Sequence, residues 1–235
     1  MRRLLASLIL VALPCLAAAE DLTIVSTVTS ARGDVRTAVQ YLTSGRIRAS
    51  DGVTDVVLDA ASGRITIVNN RRKEYSQTSL DEVRAFRSQL DAAMEGNPLM
   101  EKMLGRMSGV SVLKGQARRT VAGYDAEQYT LSAGESVRLE VWAAPALEAP
   151  PAYFEARGLI YAAMGPMGRR LERVFDEMKD IKGLPLAVSS WRKTRMGEFE
   201  TTTEATEVRR APVPDSAFAV PGDYKKVESP FSRRG

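Results

Sequence analysis

Histidine is absent from this 235-residue chain. That removes the commonest metal ligand and the commonest acid–base group near neutral pH. It also excludes Ser-His-Asp and Cys-His nucleophile systems. The single cysteine, Cys15, sits in the first apolar run. Beyond it there is no thiol nucleophile and no cysteine metal ligand. After that first run, no segment is long and apolar enough to cross a bilayer, which takes roughly 20 residues. Glycine-rich phosphate loops, internal repeats and low-complexity tracts are also missing.

What the chain does have begins at its first residues. Arg2-Arg3 precedes an apolar run from Leu4 to Leu16, and Ala17-Ala18-Ala19 follows. A charged start, a short apolar stretch and an A-x-A site read as a signal peptide over residues 1–19, with the mature chain starting at Glu20. The expected location is the periplasm of a bacterial-type cell. An uncleaved anchor and a lipidated Cys15 are the alternatives. Pro14 directly before Cys15 and the small residues after it argue against lipidation.

An exported chain meets an oxidising compartment, yet this one has no cysteine left to pair, so its stability must come from a packed core. One domain over 20–226 is expected, with a flexible tail over 227–235. The chain carries 33 basic and 29 acidic residues, and loss of Arg2 and Arg3 with the leader lowers the excess from +4 to +2. Arg71-Arg72, Arg118-Arg119, Arg169-Arg170, Arg209-Arg210 and Arg233-Arg234 are dispersed in sequence. Nucleic-acid binding would need basic residues clustered on one element. Solvated surface charge is the plain reading, and contact with anionic lipid head groups the lesser one.

Period-2 alternation marks strands. It runs through Leu22 to Thr29, Thr37 to Arg48 with a break at Ser44-Gly45, Asp55 to Asp59, Ile65 to Val68, and Lys73 to Tyr75. Val56 and Leu58 are expected to face away from Val57. Ser79 and Glu82 then form a capping box. Val83, Phe86, Leu90, Ala93 and Met94 follow at helical spacing to Gly96. A second helix is expected from Pro98 through Met107. Strands resume at Val110 to Leu113, Thr120-Val121 and Ala126 to Ser132. In the next strand Val137, Leu139 and Val141 alternate with Arg138, Glu140 and Trp142. A second helical block spans Tyr153 to Met178, broken at Gly165-Pro166 and ended by Gly183. Two long strands, Leu184 to Lys193 and Glu198 to Arg210, precede an extended tail with Pro212, Pro214 and Pro221, which is expected to act as a clamp: Phe218 and Tyr224 pack as apolar anchors and Pro214 and Pro221 stiffen the chain between them. Strands in runs with helices between the runs argue α+β. The long strands suit a curved antiparallel half-open barrel with helices across its concave face.

Catalytic motifs are weak. Ser111-x-x-Lys114 and Ser190-x-x-Lys193 have serine–lysine spacing, but both fall in expected strands and lack partner motifs. Asp51, Asp55 and Asp59 lack the alternation of a calcium loop and read as a solvated strand edge. No cofactor, metal or catalytic residue is assigned. The unusual enrichment is methionine beside the helices. Methionine is flexible and polarizable, and suits apolar surfaces that accept varied partners. Phe86, Leu90, Met94, Met103, Met107, Phe175 and Met178 are the candidate lining for an apolar ligand. Ordinary core packing explains each of them equally well.

Several short segments carry a resemblance. They are Val121-Ala122-Gly123-Tyr124-Asp125-Ala126-Glu127-Gln128-Tyr129, Val141-Trp142-Ala143-Ala144-Pro145, Gly183-Leu184-Pro185-Leu186, and Val213 to Lys225. In this order, behind a signal peptide, the chain resembles periplasmic domains of unknown function grouped with the LolA/LolB lipoprotein-carrier superfamily. The resemblance implies an incomplete antiparallel barrel plugged by helices. It implies as ligand a lipid, an acyl chain or a lipoprotein, with envelope proteins as the other class of partner. The leading expectation is a non-enzymatic binding module for an apolar or lipidic ligand. The alternative is an envelope structural or protein-interaction domain whose barrel is filled by its own side chains; an unrecognised hydrolase ranks last.

Overall fold

The computed structural model describes residues 21–94, 109–134, 137–162, 166–194 and 197–232. The leader and the helix expected over Pro98–Met107 lie outside these residues. Leu22, Ile24, Ser26 and Val28 are buried in turn while the residues between them are half-exposed, so one face of β1 (Leu22–Thr29) meets the core. Strands β2 (Val35–Leu42), β3 (Arg46–Ser50), β4 (Thr54–Asp59), β5 (Arg64–Asn69) and β6 (Glu74–Ser79) follow as an antiparallel meander. Helix α1 (Leu80–Met94) starts on the expected capping box. The Glu82 N–H donates to Ser79 Oγ at 3.2 Å, and the Ser79 N–H donates back to Glu82 Oε2 at 2.9 Å.

A second meander contains β7 (Val110–Val121), β8 (Tyr124–Ala133) and β9 (Val137–Ala144). Helices α2 (Pro151–Ala162) and α3 (Pro166–Glu177) lead into β10 (Leu184–Thr194) and β11 (Gly197–Arg210). The described strands form one sheet in the order β12-β6-β5-β4-β3-β2-β1-β11-β10-β9-β8-β7, with β12 being Lys225–Lys226. The first strand therefore stitches the two meanders together, pairing with β2 on one side and β11 on the other. Among the described strands, only β12 runs parallel to its neighbour, β6.

The sheet is open and curved. Helix α2 packs on β3 and β4, whereas α3 packs on β7 and β8, so the helix pair spans the concave side. One apolar cluster unites Ile24, Leu42, Val56, Leu58, Leu131, Leu139, Val141, Phe154, Leu159 and Phe175. Gly158 lets the helices approach closely, since a Cβ there would sit 3.3 Å from Glu172 Cγ. Glu172 is fully buried and ion-paired with Arg87 of α1, while Arg173 reaches Asp91 at 3.5 Å. The α+β half-open architecture with helices on the concave face is the one the sequence implies.

Val56 and Leu58 face away from Val57, as the alternation implies, and all three are buried because both faces of β4 are covered. The structure departs from expectation at the regularly spaced acids and after residue 210. Asp55 is not part of a solvated edge. It is 4% exposed and accepts from Arg48 Nη2 at 2.6 Å. Asp51 and Asp59 build turns instead, each accepting two backbone N–H groups through Oδ1. Nor is the segment after 210 a plain extended tail. It forms a short 3-10 turn, Asp215–Phe218, against β3, then adds β12 to the sheet. Past 226, where the sequence suggests a flexible tail, the chain stays on the domain through residue 232. The Val227 N–H donates to the Tyr75 carbonyl, and Phe231 is buried against Phe86.

Candidate ligand-binding face

The concave face is mostly apolar, with a polar patch under α2. Residues of β1 and β2 pair directly, Ile24 with Gln40, Ser26 with Ala38 and Val28 with Arg36, so all six side chains share that face. Gln40 and Ser26 are buried there. Helix α2 covers them. The Gln40 side chain faces the Tyr153 hydroxyl, and its Oε1 is buried with no hydrogen-bond partner among the described residues. One turn on, Arg157 is 6% exposed and donates from Nη1 to the Ser50 carbonyl at 2.6 Å. Its guanidinium lies 5.5 Å from the Phe175 ring centroid. Phe175 in turn stacks on Tyr161, with centroids 5.2 Å apart. Burial pushes the Tyr153 and Tyr161 hydroxyls above the ordinary tyrosine range, and Arg157 acts in the opposite direction. Both hydroxyls therefore stay protonated at neutral pH.

The candidate lining residues fall into two groups. Phe175 and Met178 lie in the core beneath α2 and α3, at 4% and 1% exposure. Phe86 and Leu90 are half-buried on α1. Phe86 meets Phe231 edge-on at 5.3 Å, beside a groove of about 410 Å³ lined also by Ala85 and Gln89. Met94 ends α1, and its side chain lies outside the described residues, as do Met103 and Met107. The structure thus brings Phe175 and Met178 together and sets Phe86 and Leu90 apart from them, linked through the Arg87–Glu172 pair.

The polar members Gln40, Tyr153, Arg157 and Tyr161 belong to no motif in the sequence. One signal was available: Arg157 interrupts the apolar run of Tyr153, Phe154, Leu159 and Ile160, and a charge on the buried stripe of a helix needs a partner. On the opposite face of the sheet, β2, β3 and β4 and the 3-10 turn enclose a second space of about 310 Å³, lined by Tyr41, Arg48, Asp55, Asn70 and Ala217. No group of three His, Cys, Asp or Glu among the described residues could hold a metal ion. Ser111 and Lys114 sit on β7, and Ser190 and Lys193 on β10. Lys114 is engaged by Glu127 at 2.6 Å.

Residues 43–224, from the β2–β3 turn to Tyr224, match the family described as Domain of unknown function (DUF4412). The chain belongs to that family. No curated protein matches this DUF4412 domain in sequence. Among solved structures it is similar to an uncharacterized conserved protein from Thermus thermophilus, with 8% identity, a TM-score of 0.45, and coverage of 90% of this chain and 91% of that one. It is similar to a chain of the MucA/MucB complex of Pseudomonas aeruginosa, with 15% identity, a TM-score of 0.40, and coverage of 88% and 58%. It is also similar to a LolA superfamily protein from Nitrosomonas europaea, with 7% identity, a TM-score of 0.26, and coverage of 86% and 90%. Of the PNGF-II structures that it also resembles, the domain spans only about a third, 31% and 32%. No helix among the described residues is long and apolar enough to cross a membrane.

Proposed function

We propose that this DUF4412 domain is an exported, non-enzymatic binding module of the cell envelope that takes an apolar or lipidic ligand on its concave face. One observation carries the reading. The concave face holds buried polar atoms with no partner among the described residues, Gln40 Oε1 and Arg36 Nε, amid a largely apolar lining. A core closed only by its own side chains has no reason to keep them, because an unpaired buried polar group costs about 1–3 kcal/mol. A face that opens to admit a ligand does. The groove between α1 and Phe231 adds apolar surface at the other end of the helical layer.

The test is native mass spectrometry of the exported protein purified without detergent, together with titration by the neutral apolar fluorophore N-phenyl-1-naphthylamine. A bound lipid at fixed stoichiometry, or saturable fluorophore binding that lipid displaces, supports the reading. A clean apo mass with no saturable binding would favour a self-filled barrel serving protein partners.

A further inference from the structure

Three arginines from distant parts of the chain lie on the concave face of the sheet or on the helix that covers it. Arg36 extends from β2, in register with the buried Val28, and lies over the β3–β4 turn: a Cβ added to Gly52 would meet its Cδ at 3.2 Å. Arg157 descends from α2 to the Ser50 carbonyl, two residues before Gly52. Arg192 lies on β10, in register with the buried Val137. Together with Arg157 it acts electrostatically on the Tyr161 hydroxyl.

Arginine is always charged, and its five N–H groups need acceptors. Yet among the described residues none of the three has a carboxylate partner. Arg157, though nine-tenths buried, has one backbone carbonyl, and the Nε of Arg36 is buried with no acceptor. The acid that acts on the same hydroxyl is Asp51, whose Oδ1 already accepts the N–H groups of Val53 and Thr54 at 2.8 and 2.7 Å. A guanidinium as buried as that of Arg157 is costly without a close counter-charge, and Arg36 and Arg192 stand half-exposed on the same face, open to an anion from outside.

We propose that Arg36, Arg157 and Arg192, with the Tyr161 hydroxyl as a further donor, form an oxyanion site on this face that holds the phosphate or carboxylate head of an amphiphile. Guanidinium forks match such groups bidentately. The head would sit between the rims formed by β3–β4 and β10, and the tail would run toward Phe175 and the apolar concave face. This rests on the binding reading above, from which it is separable by experiment.

Three probes distinguish the outcomes: dodecyl phosphate, dodecanol and inorganic phosphate, each measured by displacement of N-phenyl-1-naphthylamine and by shift in thermal midpoint. Dodecyl phosphate is expected to bind about tenfold or more tighter than dodecanol, and to weaken as salt is raised. The double variant R36Q/R192Q, at two half-exposed positions, is expected to erase that preference while keeping its fold. Inorganic phosphate that raises the thermal midpoint of the native protein but not of the variant would support the oxyanion site while assigning it to a free anion. Equal binding of dodecyl phosphate and dodecanol, unchanged in the variant, would overturn the arginine site and leave the apolar reading standing. Failure of the fluorophore to bind at all, with no response to phosphate, would remove both.

Discussion

Phe218 is the residue on which the C-terminal segment turns, and its removal is the sharpest test of how that segment is held. The ring is 8% exposed, although it lies on the outer face of the sheet, away from the main core. Tyr41 meets it edge-on at 6.2 Å, and the Arg46 guanidinium covers it at 4.6 Å. Arg46 is ion-paired with Asp215, and Arg48 donates to the carbonyls of Ala217 and Ala219 at 2.9 and 3.3 Å. Truncating a buried phenylalanine costs about 3–5 kcal/mol. The cation–π contact contributes about 0.5–1 kcal/mol of that at a partly exposed site, and the aromatic pair a similar amount. Because the ring seals an edge and the site can partly collapse, Phe218→Ala is expected near the lower end, about 3 kcal/mol. Phe218→Leu, which keeps most of the apolar area, should lose about 1 kcal/mol. Urea melts followed by the fluorescence of Trp142 and Trp191 would measure both, and an unchanged m-value would show that the segment unfolds with the domain. A loss under about 1 kcal/mol for Phe218→Ala would refute the idea that this ring anchors the segment.

Other positions give independent checks. Asp55→Ala strips Arg48 of its buried counter-charge, and denaturant melts should show a loss of about 3–5 kcal/mol. The Glu82 carboxyl is held below the usual carboxylate range, first by the Thr78 hydroxyl and then by the Ser79 N–H. Its contribution is therefore present above the unfolded carboxylate pKa and lost as pH falls through the folded one. Glu82→Ala should cost about 0.5–2 kcal/mol at pH 7, and melts in strong acid should show that difference shrinking. Gly183 has φ +96°, and a Cβ there would lie 2.3 Å from the Ala144 carbonyl oxygen. Since that neighbour is backbone, Gly183→Ala should lower the thermal midpoint sharply and reduce yield in the soluble fraction.

What the sequence revealed follows from range. The capping box at Ser79–Glu82 and the alternation of Val137, Leu139 and Val141 are each written within a few residues, and each was legible. The return of the C-terminal segment was legible in its anchors, Phe218 and Tyr224, but not in the partners that receive them. Proline at 212, 214 and 221 removes backbone donors and so looks extended, while the contacts that hold Phe218 come from Tyr41 and Arg46, over 170 residues earlier. Asp55 looked like one of three regularly spaced surface acids. Its partner Arg48 is only seven residues away, but their meeting depends on the β3–β4 register, which spacing alone does not give. The concave-face arginines are harder still, since Arg36, Arg157 and Arg192 stand on β2, α2 and β10, far apart in sequence.

The contrast between the two faces of β3 gives the concave site its meaning. On the outer face Arg46 and Arg48 are both neutralised, by Asp215 and Asp55, and Arg48 also uses the carbonyls of Ala217 and Ala219. That guanidinium pair is complete within the chain, as a structural element should be. On the inner face Arg157 reaches the same strand at the Ser50 carbonyl, with no carboxylate in contact with it among the described residues. Carbonyls accept hydrogen bonds but do not cancel a charge, so the two faces differ in kind and not merely in degree. A chain able to place Asp55 beside Arg48 could equally have placed an acid beside Arg157. Leaving that charge open is costly for folding and useful for binding, and the same sheet therefore carries a finished clamp on one side and an unfinished site on the other.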